Sequence, residues 1–298
     1  MTALHRRESN LRFLRRFDCR RAVGSIDDRE SLDRAMEKDV DVVFHVAANT
    51  SVWSARNAEQ RRDNVDGTQN MVETALAKGA GRFVHTSSCA VFGLGEGPFD
   101  ENSPLLGRDS WINYIRTKSL AEDRVRAGAS AGLPTVIVRP AHIVGKYDTG
   151  NWATLIRLAA SGKLPGIPSG SGCFCNAREV ARAHIRASRC PKRHDEFVLG
   201  GPAASLKELV GTAAEVAGRR ASVRTIPTGL LRSAARASGL LSRLTAKQPR
   251  MTPEGVAIST HDLRVDDGKA RRELGYAHVP LRESVRESVE FLRGEGLL

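Results

Sequence analysis

Tyr114-Ile115-Arg116-Thr117-Lys118, read together with the earlier Thr86-Ser87-Ser88, decides how this chain is understood. A tyrosine and a lysine four positions apart share one face of a helix. An ammonium held near a phenol favours the phenolate and draws the tyrosine pKa down from its usual value of about 10. Such a tyrosine can give or take a proton near neutral pH. Ser87 and Ser88 close the apolar run Arg82-Phe83-Val84-His85, which reads as a buried strand. A hydroxyl at the C-terminal end of a parallel strand lies where open α/β sheets bind their ligands.

Alone, that tyrosine–lysine spacing more often marks a solvated helix face. The order of the neighbouring stretches changes its meaning. Asp41-Val-Val-Phe-His45-Val-Ala-Ala48 is followed by Asn64-Val-Asp-Gly67-Thr68, His85-Thr-Ser-Ser88, Tyr114 to Lys118, and Val138-Arg139-Pro140. This series resembles the extended short-chain dehydrogenase/reductase superfamily, and is most similar to its NAD-dependent epimerase/dehydratase and dihydroflavonol-reductase-like branch.

The resemblance implies an α/β fold with a doubly wound, Rossmann-type parallel sheet and a smaller C-terminal substrate domain. Residues 1–147 would bind the dinucleotide, with 173–190 returning to that unit, and 148–298 would mainly form the substrate domain. It also implies hydride transfer between a nicotinamide and a carbonyl or alcohol carbon. Tyr114 would be the acid/base, Lys118 would lower its pKa and bind the nicotinamide ribose, and Ser88 would hydrogen-bond the substrate oxygen. Arg6, Ser25, Ile26, Ala47, Ala48, Thr86, Pro140 and Ile143 are the further positions expected against the cofactor, and His142 is expected to face the substrate. An epimerase or dehydratase would use the same residues with transient oxidation.

The opening of the chain departs from that pattern. Thr2-Ala-Leu-His5 matches the family's second strand, and the first glycines are Gly24 and Gly67, so no glycine-rich phosphate loop is present. The expectation is a reading truncated by one N-terminal βα unit of roughly thirty residues. A non-catalytic, cofactor-sensing protein would also fit that absence. Gly93-Leu-Gly95-Glu-Gly97 does not replace the loop, because Pro98 falls on the third fingerprint position; it reads as a loop beside the active site. After the strand stand His5, Arg6 and Arg7, with no acid before Glu8. A carboxylate there would take the ribose hydroxyl of NAD, whereas arginine suits the extra phosphate of NADP. NADP is therefore favoured over NAD. Ser25 stands where the family usually has an aspartate facing the adenine.

Composition narrows the class further. The chain has 298 residues, enough for a full core, and 41% hydrophobic content with 27 glycines suits an α/β protein. No apolar run reaches the length of a membrane span, and Met1-Thr-Ala-Leu-His-Arg-Arg lacks a signal-peptide core. The five cysteines have no framework spacing and read as cytoplasmic thiols, with no metal site. The net charge of +12 invites nucleic acid, but the arginines are dispersed and aromatics make up only 5%, so no stacking platform is expected. An anionic cofactor and anionic small-molecule substrates are the more economical use of part of that charge, and a homodimer is compatible with this reading.

Among the remaining elements, Val40–Val46 reads as a buried parallel strand carrying a packed His45. Asn64 and Thr68 bracket a helix start. Further helices are expected over Asn151–Ala160, Leu206–Ala217, Leu230–Lys247 and Leu281–Leu292, with a break at Gly162–Gly172. Leu230–Lys247 is basic and is expected first to cover a pocket, with contact to an acidic partner or a membrane surface as the alternatives.

Overall fold

The computed structural model describes residues 1–298 except positions 165, 221, 222, 246 and 250. Strand β1 (Thr2–His5) pairs in parallel with β2 (Arg20–Val23). Between them, Leu14–Arg16 form a single 3-10 turn. Helix α1 (Arg29–Ala35) starts at Asp28, whose side chain accepts from the Ser31 N–H. Then come β3 (Val43–His45), α2 (Asn57–Arg61), α3 (Gly67–Ala77), β4 (Phe83–Thr86), α4 (Asn113–Ser130) and β5 (Thr135–Pro140). The chain continues through β6 (His142–Val144), α5 (Asn151–Ala160), β7 (Ser171–Asn176), α6 (Ala177–Ala187) and β8 (His194–Leu199). It ends with β9 (Ala203–Ser205), α7 (Leu206–Val216), α8 (Thr228–Thr245), α9 (Pro253–Ser259), β10 (Asp262–Leu263), α10 (Gly268–Leu274) and α11 (Leu281–Gly294). Position 246 of the expected basic helix and position 165 of the expected break lie outside the described residues.

The central sheet has the order β3-β4-β5-β8, every pair parallel. All six residues of β5 are buried, as befits a strand paired on both sides and covered on both faces. One face packs on α3 and α4 through Val72, Phe83, Val125 and Ile137. The other packs on α6 and α10 through Val136, Val138, Val180, Ala183, Phe197 and Leu274. Gly128 allows the first of these layers to close: a Cβ there would stand 2.3 Å from a Val72 methyl. A second sheet, β10-β7-β6 with β9 antiparallel to β7, lies in the C-terminal half. Its core joins Ile156 of α5, Leu209 of α7 and Val289 of α11 around Phe174. The capping box Ser205–Glu208 starts α7. No helix among the described residues is long and apolar enough to cross a membrane.

The parallel strands do not form one continuous sheet. The β1–β2 pair is separate from β3-β4-β5-β8, and β1 and β3 are not bonded to each other. A groove of about 1420 Å³ lies there, lined from one side by Leu4, Val23 and Ser25 and from the other by Ala47 and Ala48. This also limits the strand expected over Val40–Val46. Only Val43–His45 is extended, and Phe44 and Val46 are 43% and 60% exposed, because β3 is the outer strand and only its Val43–His45 side packs inward.

Candidate active site

Helix α4 brings Tyr114 and Lys118 to the C-terminal ends of β4 and β5 in its first two turns. Its neighbour Asn113 donates to Gln60 Oε1 at 2.8 Å, and Thr117 accepts from Asn64 Nδ2 at 3.1 Å, so side chains of the preceding helices fix its start. Asn64 in turn clamps Asn49, accepting from its N–H at 2.7 Å and donating to its carbonyl at 2.9 Å. The asparagine thus holds the backbone that follows Ala47 and Ala48.

Ser88 ends β4's exit and caps the 3-10 turn Cys89–Phe92, its hydroxyl accepting from the Ala90 N–H at 3.1 Å. Its hydroxyl also acts on the Tyr114 phenol, drawing the pKa of that group down. Ser88 and Tyr114 line a cavity of about 800 Å³, together with Leu94, His142, Ile143 and residues of α5 and α9. Lys118, Thr86 and Pro140 stand behind that lining. Lys118 is only 3% exposed and its Nζ donates to the Thr86 carbonyl at 2.8 Å.

The expected electrostatics differ here. Burial raises the Tyr114 pKa above its ordinary value; the Ser88 hydroxyl only partly opposes this, and Lys118 is not among the causes. Burial lowers Lys118 to about 8, against the attraction of Glu122 one turn further along α4. The spacing places the two groups on one face, but the ammonium is engaged by a carbonyl and loses much of its own charge advantage to desolvation.

A set of buried histidines lies beneath the site. Thr68 donates to the Asn64 carbonyl, so its oxygen accepts from His45 Nε2 at 2.9 Å, and burial holds His45 neutral with a pKa of about 3. His45 is thus the packed strand residue that its position in an apolar run implies. His85 stacks on it at 5.2 Å. His184 of α6 donates from Nδ1 to the Val180 carbonyl, leaving Nε2 to accept from the Thr86 hydroxyl at 2.8 Å. Nothing in the sequence order brings His184 to Thr86; only the packing of α6 on the sheet does.

His142 packs edge-on against Trp152 at 4.8 Å and near Phe174 at 5.3 Å, and burial lowers it to about 4. Opposite lies His261, whose Nε2 donates to the Gly95 carbonyl at 2.8 Å. The loop Gly93–Gly97 therefore meets the C-terminal half, and Gly93, at φ +81°, makes the turn that starts it. Trp152, Leu155, Ile258 and His261 carry no motif, so sequence reasoning missed them. The cover over this cavity comes from α9, which contributes Gly255 and Ile258; α8 lies behind, packing Leu231 and Ala235 on Val256.

The groove beside β1 collects Arg6, Arg7, Ser25, Ile26, Ala47 and Ala48, with Arg34, Arg56 and Arg62 also on its lining. Arg6 pairs with Glu8 at 3.2 Å, both side chains well exposed. Ile26 packs against Gly67, where a Cβ would stand 2.8 Å from it. Thr50, Val52 and Asn151 line both the groove and the smaller cavity, so the two adjoin. An elongated anionic ligand therefore has arginines in one part of its path and the Ser88–Tyr114 pair in the other. These residues fit a nicotinamide dinucleotide at its two ends.

A model of the NAD dependent epimerase/dehydratase family matches residues 1–200. Sterol demethylase protein B of Methylococcus capsulatus is 27% identical over 99% of this chain and 92% of its own length. The 4-hydroxy-2-methyl-3-oxo-4-farnesyl-3,4-dihydroquinoline-1-oxide ketoreductase of Stigmatella aurantiaca is 32% identical over 92% of this chain and 82% of its own. The crystal structure of gox2253 superposes with a TM-score of 0.84 at 29% identity, covering 99% of this chain and 91% of that one. With the ordered motifs, the parallel sheet and the groove at its strand ends, this match means that the chain belongs to the NAD dependent epimerase/dehydratase family.

Proposed function

We propose that the protein is an NAD(P)-linked oxidoreductase that interconverts a carbonyl and an alcohol, with Tyr114 as its acid/base. The observation that carries this reading is the Ser88–Tyr114 hydroxyl pair at the wall of a ligand-sized cavity, with Lys118 behind it on the same helix. The nicotinamide, when bound, supplies or accepts the hydride. Tyr114 gives its proton to the substrate oxygen in reduction and takes it back in oxidation, while Ser88 holds that oxygen. Lys118 donates to the Thr86 carbonyl behind the phenol and, in this reading, binds the nicotinamide ribose. Residues 1–147, joined by 173–190, hold the cofactor in this reading, and 148–298 mainly hold the substrate. The ketoreductase relative supports reduction as the net direction.

NADP is the cofactor this reading favours, because Arg6, Arg7 and Arg34 all line the groove. A charge-assisted bond to its extra phosphate is worth about 1.5–3 kcal/mol. Arg6→Asp should lower the ratio of NADP to NAD affinity; an unmoved ratio in calorimetry means that the phosphate is read elsewhere.

Tyr114→Phe tests the chemistry directly. The variant should keep its circular dichroism and cofactor affinity and lose carbonyl reduction by ~10²-fold or more. Turnover within about threefold of the parent, far inside that general-acid effect, would sink the assignment. Net consumption of NADPH separates a reductase from an epimerase or dehydratase, which returns its cofactor unchanged.

A further inference from the structure

Away from Ser88 and Tyr114, the 800 Å³ cavity is walled by Leu94, Ile143, Trp152, Leu155, Ile258 and Leu263. No arginine lines it among the described residues, and its one lysine, Lys146, is exposed. His142 is neutral at physiological pH and packs by its ring against Trp152 and Phe174. A diphosphate needs either cations or free N–H groups at a helix N-terminus. Helices α4, α5 and α6 all begin beside this cavity; α4 opens at the Tyr114 end, Asn176 accepts from the first N–H groups of α6, and the N-terminus of α5, on the far wall, is already taken. Asp148, also on the lining, accepts from the N–H groups of Gly150 and Asn151 at 3.0 Å each, and from Ala153 at 2.8 Å. The α5 donors that a phosphate would use are bound to a carboxylate, and that carboxylate would repel the phosphate. The cavity's volume lies within the ~300–1,000 Å³ range of sites for single drug-sized ligands.

We infer that this cavity takes an uncharged, bulky apolar ketone or its secondary alcohol, and that Asp148 bars diphosphate-bearing compounds from it. The carbonyl in that statement rests on the oxidoreductase reading; the apolar, uncharged character rests on the walls alone. Trp152 and Leu155 hold the ligand skeleton, and the oxygen end meets Ser88 and Tyr114.

Binding and turnover are measured separately, with two fused-ring ketones, 2-decalone and 1-tetralone, and with uridine 5′-diphosphate as the anionic probe. In competition calorimetry both ketones should bind the parent, with an affinity indifferent to salt, and uridine diphosphate should not displace them. Trp152→Ala should weaken 2-decalone about tenfold, the cost of removing a large aromatic wall. Asp148→Asn keeps an acceptor for the helix N–H groups but removes the charge; it should leave ketone affinity within about twofold, since an uncharged ligand has no charge to meet, and let uridine diphosphate compete weakly. Displacement of the ketones by uridine diphosphate from the parent, absence of ketone binding, or an Asp148→Asn protein that still excludes the diphosphate would overturn the inference. Ketones that bind the parent but are reduced with neither NADPH nor NADH would leave this assignment standing and sink the hydride-transfer reading instead.

Discussion

Lys118 is almost wholly out of water, with a pKa drawn from 10.5 to about 8 by burial despite the opposing charge of Glu122. Below about 8 it is protonated both folded and unfolded, and the folded state carries the desolvation cost. Between about 8 and 10.5 the folded protein has released this proton while the unfolded chain still holds it. Stability therefore rises with pH across that window. Thermal unfolding of the parent against Lys118→Met should show this rise in the parent and its loss in the variant; identical pH slopes would mean that the ammonium is solvated. Tyr114 and Lys118 could be read from the sequence because their spacing is local to one helix turn. The sign of the tyrosine's shift could not, because it depends on how deeply Cys89, Ser88 and the strand ends enclose the phenol.

Helix α4 and strands β5 and β8 are locked by a buried charge network. Arg139, fully buried, donates from Nε and Nη2 to the two Glu122 oxygens at 2.8 and 2.9 Å and also reaches Glu196 at 2.5 Å. Glu122 sits one turn past Lys118, so this network fixes the rotation of the helix that carries the phenol. Glu122→Ala would leave the Arg139 guanidinium buried beside only Glu196, at a cost of about 3–5 kcal/mol. Urea unfolding should show this loss, whereas Glu122→Leu with Arg139→Met should lose less than the single change; equal losses would mean that the charges contribute net stability. Val138-Arg139-Pro140 was legible in the sequence as a motif, but its role as the partner of Glu122 was not, since the two meet only when α4 packs on β5. The strand over Val40–Val46 was legible as an apolar run and not as an outer strand, because periodicity carries no information about neighbours.

At the scale of the whole molecule, the β1–β2 pair and the central sheet are separate, with a groove between them. A two-stranded sheet is marginal by itself. The β1–β2 pair is held from outside: Arg12 and Arg16 reach Glu295 at 2.7 and 2.6 Å, and Phe13 packs on Tyr147 and Phe291. Hydrogen exchange should therefore be fast in Thr2–His5 and Arg20–Val23 and slow in β4 and β5, and NADP should slow the first two. Uniform protection without ligand would contradict this division. The doubly wound class was legible from the order of the motifs. The cavity walls were not, because Trp152, Leu155, Ile258 and His261 come from separate segments that share no pattern. Thr50, Val52 and Asn151 belong to both hollows. A molecule lying along the first becomes part of the boundary of the second. The shared wall thus couples the two hollows, and ketone affinity measured with and without NADP should differ.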